Sequence, residues 1–235
     1  MLRKAKVIDH FQELVFRLKI IVVILAIATL IVLPFSPNLL KVMQNELLPK
    51  EWKVIVVNPI EAVNVELLIS FTGGFLISFP VIIYEIYKFL KPALFSHEKK
   101  LSLYFIFGFL GLFAVGTLFA YFLLVPLTFK ILFFFVTSTG ATPLMSLENF
   151  FEFTLFSIAS TGLLFTFPVF MSILAKLGVI SSDVLSKNRK YFLAGLFVIT
   201  AIITPDPTII TDLIIIIPIW FLYEISIILV KRIRK

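Results

Sequence analysis

Long apolar runs alternate with short polar interruptions along almost the whole of this 235-residue chain. Most of the runs are too long for the buried face of a soluble helix and suit membrane-crossing helices instead. The segment Val7 to Phe16 is amphipathic, with Phe11, Leu14 and Val15 towards one side and Asp9, His10, Gln12 and Glu13 towards others. It leads into an apolar run from Ile20 to about Leu33, which Pro34 and Pro37 are expected to end. Between Asn38 and Asn64 the chain is more polar and carries Trp52. Its stretch Val54-Ile55-Val56-Val57 is too apolar to lie in water, so the segment reads as an ordered cap. A second run follows from about Glu66 to Leu90, with Pro80 inside it and Lys91-Pro92 closing it. The third, Leu101 to Leu124, carries Gly108, Gly111 and Gly116, small residues that let helices approach closely. After Pro126 comes Leu127 to Val136, apolar but for Lys130, and then the turn-rich Thr137 to Pro143. A fourth run covers about Phe150 to Ala175 and contains Pro168.

The last two runs are shorter. Phe192 to Ile203 precedes the breaking sequence Thr204-Pro205-Asp206-Pro207. Its 12 residues rise only ~18 Å, well short of a ~30 Å hydrocarbon core. Leu213 to Val230 returns with Pro218 in its middle. Starting the fifth run near Leu185 would carry Lys187, Arg189 and Lys190 into the membrane, at ~2.5–3.5 kcal/mol each if central. Short fifth and sixth helices are therefore expected. The pattern predicts an all-α integral membrane protein with one polytopic domain over 1–235, its spans near 18–34, 66–90, 101–125, 150–175, 191–203 and 210–230.

Charge gives these spans a direction. Seventeen of the 21 lysines and arginines form four clusters: Arg3/Lys4/Lys6/Arg17/Lys19, Lys88/Lys91/Lys99/Lys100, Lys176/Lys187/Arg189/Lys190 and Lys231/Arg232/Arg234/Lys235. They fall at every second hydrophobic boundary. Basic loops stay in the cytoplasm, so the pattern predicts six spans with both termini cytoplasmic. The inner side then carries +11 and the outer side −4, consistent with the net +7. The basic balance is a topology signal rather than a nucleic-acid footprint. Composition agrees: 60% hydrophobic residues and a mean hydropathy of +1.08 require lipid to cover the surface. Without cysteine there are no disulfides and no thiolate chemistry. The N-terminus does not read as a cleavable signal, because charges run to Lys19 and Ala26-Ile27-Ala28 lies inside the apolar run.

Candidate chemistry is sparse. There is no phosphate-binding glycine loop and no metal-ligand spacing, and His10 and His97 are too few for a metal cage; no metal or cofactor is expected. Glu13 and Glu98 stand out as acids on the basic side. Glu98 can pair with Lys99 or Lys100, a surface contact worth ~0–1 kcal/mol, and Glu13 can pair with Arg17 one helical turn on. Alternatively the two form a carboxylate patch for a cationic ligand, which arginine suits through its bidentate fork. Glu66, Glu85, Glu152 and Glu224 are the acids a proton-coupled secondary transporter would use. An intramembrane hydrolase would need a nucleophile with a base or a metal, and neither histidine lies in a span. Pro80…Tyr84-Glu85 and Pro218…Tyr223-Glu224 form a faint repeat with unequal spacing.

His10-x-x-Glu13-Leu14-x-x-Arg17 resembles the N-terminal signature of the TatC family, the core subunit of the twin-arginine protein translocase. Phe79-Pro80-Val81-Ile82 and Phe89-x-x-Pro92-Ala93-Leu94-Phe95-x-His97-Glu98-Lys99-Lys100 are similar to that family's first inner loop and its approach. Phe167-Pro168-Val169, Leu177-Gly178, Arg189-Lys190-Tyr191, Thr204-Pro205-Asp206 and Pro218…Tyr223-Glu224 match later landmarks in order. The resemblance implies a non-enzymatic, glove-shaped receptor and scaffold in the cytoplasmic (inner) membrane. It would bind Arg-Arg signal peptides of folded cargo and assemble small single-span partners of the TatA/TatB type, with self-association. It implies a twin-arginine site at Glu13 and Glu98, shaped by Phe89, Pro92, Leu94, Arg17 and His10. It also implies partner docking around Thr166, Leu196, Phe197 and Pro218. Two departures bear on this. Val15 stands where the family often has a basic residue, and Thr166 stands where many members carry an acid.

Overall fold

The computed structural model describes residues 2–50, 52–94, 99–203 and 209–233. Helix α1 (Leu2–Val32) passes through one 3-10 turn, Leu33–Phe35, into α2 (Ser36–Leu47). Pro34 and Pro37 thus do not end the helical course as the sequence suggested. Each sits at the start of its segment, where a missing N–H removes no helical bond. The Ser36 hydroxyl also donates to the Leu33 carbonyl at 2.8 Å, which holds the junction. Strand β1 (Lys53–Ile55) follows, then α3 (Pro59–Leu94). Helix α4 (Lys99–Phe119) continues through a five-residue π turn, Ala120–Leu124, into α5 (Val125–Ser138). The span expected to stop near 125 therefore runs on to Ser138, the wide turn accommodating Pro126.

Strand β2 (Leu144–Ser146) pairs in parallel with β1, Lys53 opposite Leu144 and Ile55 opposite Ser146. The apolar Val54-Ile55 step thereby finds a partner strand, and the cap is ordered by pairing as well as packing. Ser146 then caps α6 (Leu147–Phe165) by accepting from the Asn149 N–H at 3.2 Å. The helix breaks at Thr166 before Pro168 and resumes as α7 (Phe167–Lys176). Short α8 (Ser182–Lys187), α9 (Arg189–Ile203) and α10 (Ile209–Ile233) complete the order.

Five helical stretches among the described residues are long and apolar enough to cross a membrane: Phe11–Leu47, Pro59–Leu90, Phe105–Ser138, Leu147–Lys176 and Asp212–Arg232. Helix α9, with 15 residues, rises ~22 Å and falls short of that length. The sixth helix is not short: α10 has 25 residues and continues through Pro218. Packing explains this. Ile215, Ile216 and Ile219 around the proline are buried, which outweighs one lost backbone hydrogen bond.

Close contacts fix the helix directions. In α1 and α3, Thr29 meets Gly74 while Arg17 meets Glu85, so the two run antiparallel. Gly116 on α4 lies against Thr161 and Phe165 of α6 while Gly108 lies against Val169 of α7, so α4 runs antiparallel to the α6–α7 course. Phe79 stacks on Phe113 with centroids 3.5 Å apart, joining α3 to α4. The main core draws on α2, α3, α5, α6, α9 and α10. A smaller cluster joins Ala175, Leu185, Tyr223, Ile227 and Val230. The outward surface is apolar, with Val22, Leu30, Phe107, Phe122, Phe134, Ile217 and Phe221 all exposed. Such a surface is suited to lipid and not to water.

Candidate functional site: a carboxylate and guanidinium cluster at the basic end

The antiparallel packing gathers the start of α1, the end of α3, the end of α7, the start of α9 and the end of α10 at one end of the bundle. Arg17, Lys88, Lys176, Arg189 and Lys231 belong to these helix ends. The opposite end holds the β1–β2 pair, Trp52 against Phe129 and Phe133, and a hydrogen bond from Asn64 to Glu148 at 3.0 Å. Glu148 and Glu152 line a cavity of about 350 Å³ there. A second cavity, of about 360 Å³, is lined by Glu46 and Lys130, and the Tyr121 hydroxyl donates to Glu46.

At the basic end Arg17 joins two helices. Its Nε and Nη2 both donate to Oε1 of Glu13, one turn earlier on α1. Its Nη1 donates to Oε2 of Glu85 on α3 at 2.9 Å. The other Glu85 oxygen accepts from Lys88 Nζ at 3.2 Å, and Lys88 also lies over the Tyr84 ring, 4.3 Å from its centroid. The Glu85 side chain is 7% exposed, against 35% for Glu13 and 18% for Arg17. Two carboxylates from two helices thus close on one guanidinium, and the more buried one, Glu85, is one the sequence reading did not join to Glu13. A second pair of the same kind lies between α9 and α10, where Arg189 grips both oxygens of Glu224 at 2.8 Å. The Tyr-Glu steps at 84–85 and 223–224 therefore serve alike, each offering its glutamate to an arginine of another helix. That shared dipeptide, with the place of both glutamates among the span-edge acids, was the sequence signal for Glu85.

The remaining expected residues fall out as follows. Phe89 is partly buried on α3, four residues after Glu85. His10 belongs to α1, and Pro92 and Leu94 to the final turn of α3. His97 and Glu98 lie outside the described residues. The four docking residues differ in exposure. Leu196 is 2% exposed and belongs to the main core, and Thr166 is buried at the α6–α7 break. The Thr166 hydroxyl donates to the Leu163 carbonyl at 2.7 Å, satisfying its own helix end. Phe197 is exposed beside Val198 and Ile199, and Pro218 is partly exposed.

These features define a multi-pass helical membrane protein whose charge is concentrated at one end. The family model described as Sec-independent protein translocase protein (TatC) matches residues 9–218. The chain is 37% identical over 226 residues to the Sec-independent protein translocase protein TatC of Aquifex aeolicus, covering 95% of this chain and 93% of that one. It is 32% identical to the TatC of Methanocella arvoryzae, covering 95% and 92% of the two chains. Its fold matches a crystal structure of the twin-arginine translocase receptor TatC with a TM-score of 0.87 and 36% identity, covering 96% of this chain and 100% of that one. The chain belongs to the TatC family and is a component of a Sec-independent protein translocase.

Proposed function

We propose that this protein is the receptor and assembly subunit of its translocase, binding Arg-Arg signal peptides of folded cargo at a cytoplasmic face. In this reading α9 is the shortened fifth of six spans, both termini are cytoplasmic, and the membrane is the inner one. Twin-arginine recognition involves Glu13 and Glu98, with Phe89, Pro92, Leu94, Arg17 and His10 around them. The observation that carries the reading is Glu13 at the basic end of the bundle, its carboxylate already engaged by a guanidinium fork. A site that holds an arginine in this way has the chemistry to hold another. Small single-span partners of the TatA/TatB type would cover the exposed apolar edge of α9, where Phe197, Val198 and Ile199 face outward. A proton-coupled transporter has less support. Glu85 and Glu224, two of the acids it would use, each have both oxygens engaged by cationic side chains.

The test is crosslinking of the purified full-length protein to an Arg-Arg signal peptide and to its Lys-Lys counterpart. Selective labelling by the Arg-Arg peptide, through probes near positions 13 and 98, is expected. Equal labelling by both peptides would remove the recognition claim while leaving family membership intact.

A further inference from the structure

Arg17 presents to Glu13 and Glu85 the same group that an Arg-Arg peptide would bring. Its fork reaches one carboxylate through Nε and Nη2 and the other through Nη1, across helices whose contacting residues are 68 positions apart. Glu85 is nearly covered, and both of its oxygens are engaged, one by Arg17 and one by Lys88. We propose that Glu85 is a further ligand-binding carboxylate of this receptor, and that Arg17 is a resident guanidinium, held between Glu13 and Glu85 until a signal-peptide arginine exchanges for it. The inference rests on the receptor reading above.

Charge balance favours exchange over addition. Among the contacts described, Glu13, Glu85, Arg17 and Lys88 sum to zero. Adding a guanidinium to the closed cluster would leave an unpaired positive charge in a partly dry site, which is costly. Replacing Arg17 keeps the balance. Arg17 has a place to go, since it lies at the edge of the apolar run and its long stem can carry the charged head out to water. Lys88 has reason to remain, because both Glu85 and the Tyr84 ring hold it. The exchange also discriminates. A guanidinium can donate to two carboxylates from separate edges at once, whereas an ammonium is a point charge and cannot reproduce that fork. The clamp therefore selects arginine over lysine by geometry as well as by charge.

The experiment uses the full-length protein in detergent with a fluorescent Arg-Arg signal peptide and a Lys-Lys control, measured on wild type, Arg17→Gln, Glu85→Gln and the double variant. Emptying the clamp removes the internal competitor, so Arg17→Gln should bind the Arg-Arg peptide about tenfold tighter, the worth of one charge-assisted contact. Adding Glu85→Gln to Arg17→Gln should take that gain away. Thermal unfolding of each variant reports whether the fold survives. Should Arg17→Gln fail to fold, Arg17→Lys keeps the charge without the fork and should still tighten binding. Weaker Arg-Arg binding in the position-17 variant, or no effect of Glu85→Gln in its background, would make Arg17 a plain structural pin and overturn the inference. Failure of the receptor reading looks different: wild type itself would bind the Arg-Arg and Lys-Lys peptides equally, and the inference would fall with it.

Discussion

At Gly74 an added Cβ would stand 2.7 Å from the Thr29 nitrogen and 2.8 Å from its Cα, so even alanine must push α1 away from α3. Because the neighbour is backbone, it cannot swing aside as a side chain would. Gly74→Ala should therefore lower stability by about 1–3 kcal/mol, as overpacking does elsewhere. Gly111→Ala, with nothing within 4 Å of its Cβ, should leave the thermal midpoint unchanged. Equal midpoints for the two variants would mean that the α1–α3 contact is looser than the structure gives. Single residues also carry the proposed recognition site. Each charge-assisted contact to an arginine is worth ~1.5–3 kcal/mol, so Glu98→Gln should weaken Arg-Arg peptide binding roughly 10- to 100-fold. Glu98→Lys should do worse, since it adds repulsion, and unchanged affinity in Glu98→Gln would return that residue to a solvated surface role. The Glu13–Arg17 contact was legible in the sequence, because i, i+4 spacing on a helix dictates it. The Arg17–Glu85 contact was not, since no periodicity relates residues on two different helices.

Among the elements, α9 carries the proposed partner-docking edge. Its core side is Leu196 and its outward side is Phe197 to Ile199. Phe197→Asp should accordingly weaken co-purification of a single-span partner while leaving peptide binding unchanged. Leu196→Asp should instead lower the thermal midpoint, because it buries an unpaired charge in the main core. Loss of partner and stability together in the Phe197 variant would argue that this edge is internal. Proline positions were where element boundaries were hardest to read. Pro34, Pro37 and Pro126 all fall near the start of a helical segment, where the ring fits, and Pro218 is carried by buried isoleucines on either side. Whether a proline ends a helix depends on what packs around it, which a single sequence does not display. The β1–β2 pair was hidden for the same reason, its partner strands lying far apart in the chain.

The whole molecule was legible chiefly through charge. Hydropathy marked the long runs, and the basic clusters alternate between them; the structure brings the corresponding helix ends together at one end of the bundle. If that end is cytoplasmic, as proposed, single cysteines introduced at Lys99 and Arg189 should react only from inside. Those at Lys50 and Thr139 should react from outside. Outer labelling at position 99 would overturn the six-span arrangement. Receptor function tests the account most directly, through equilibrium binding of Arg-Arg and Lys-Lys signal peptides to the full-length protein and to Glu13→Gln. The account predicts that the Arg-Arg peptide binds wild type at least about tenfold tighter than its Lys-Lys counterpart. That gap should narrow in Glu13→Gln, and added salt should weaken binding by screening the charges. Equal affinities for the two peptides, unmoved by the substitution, would contradict it.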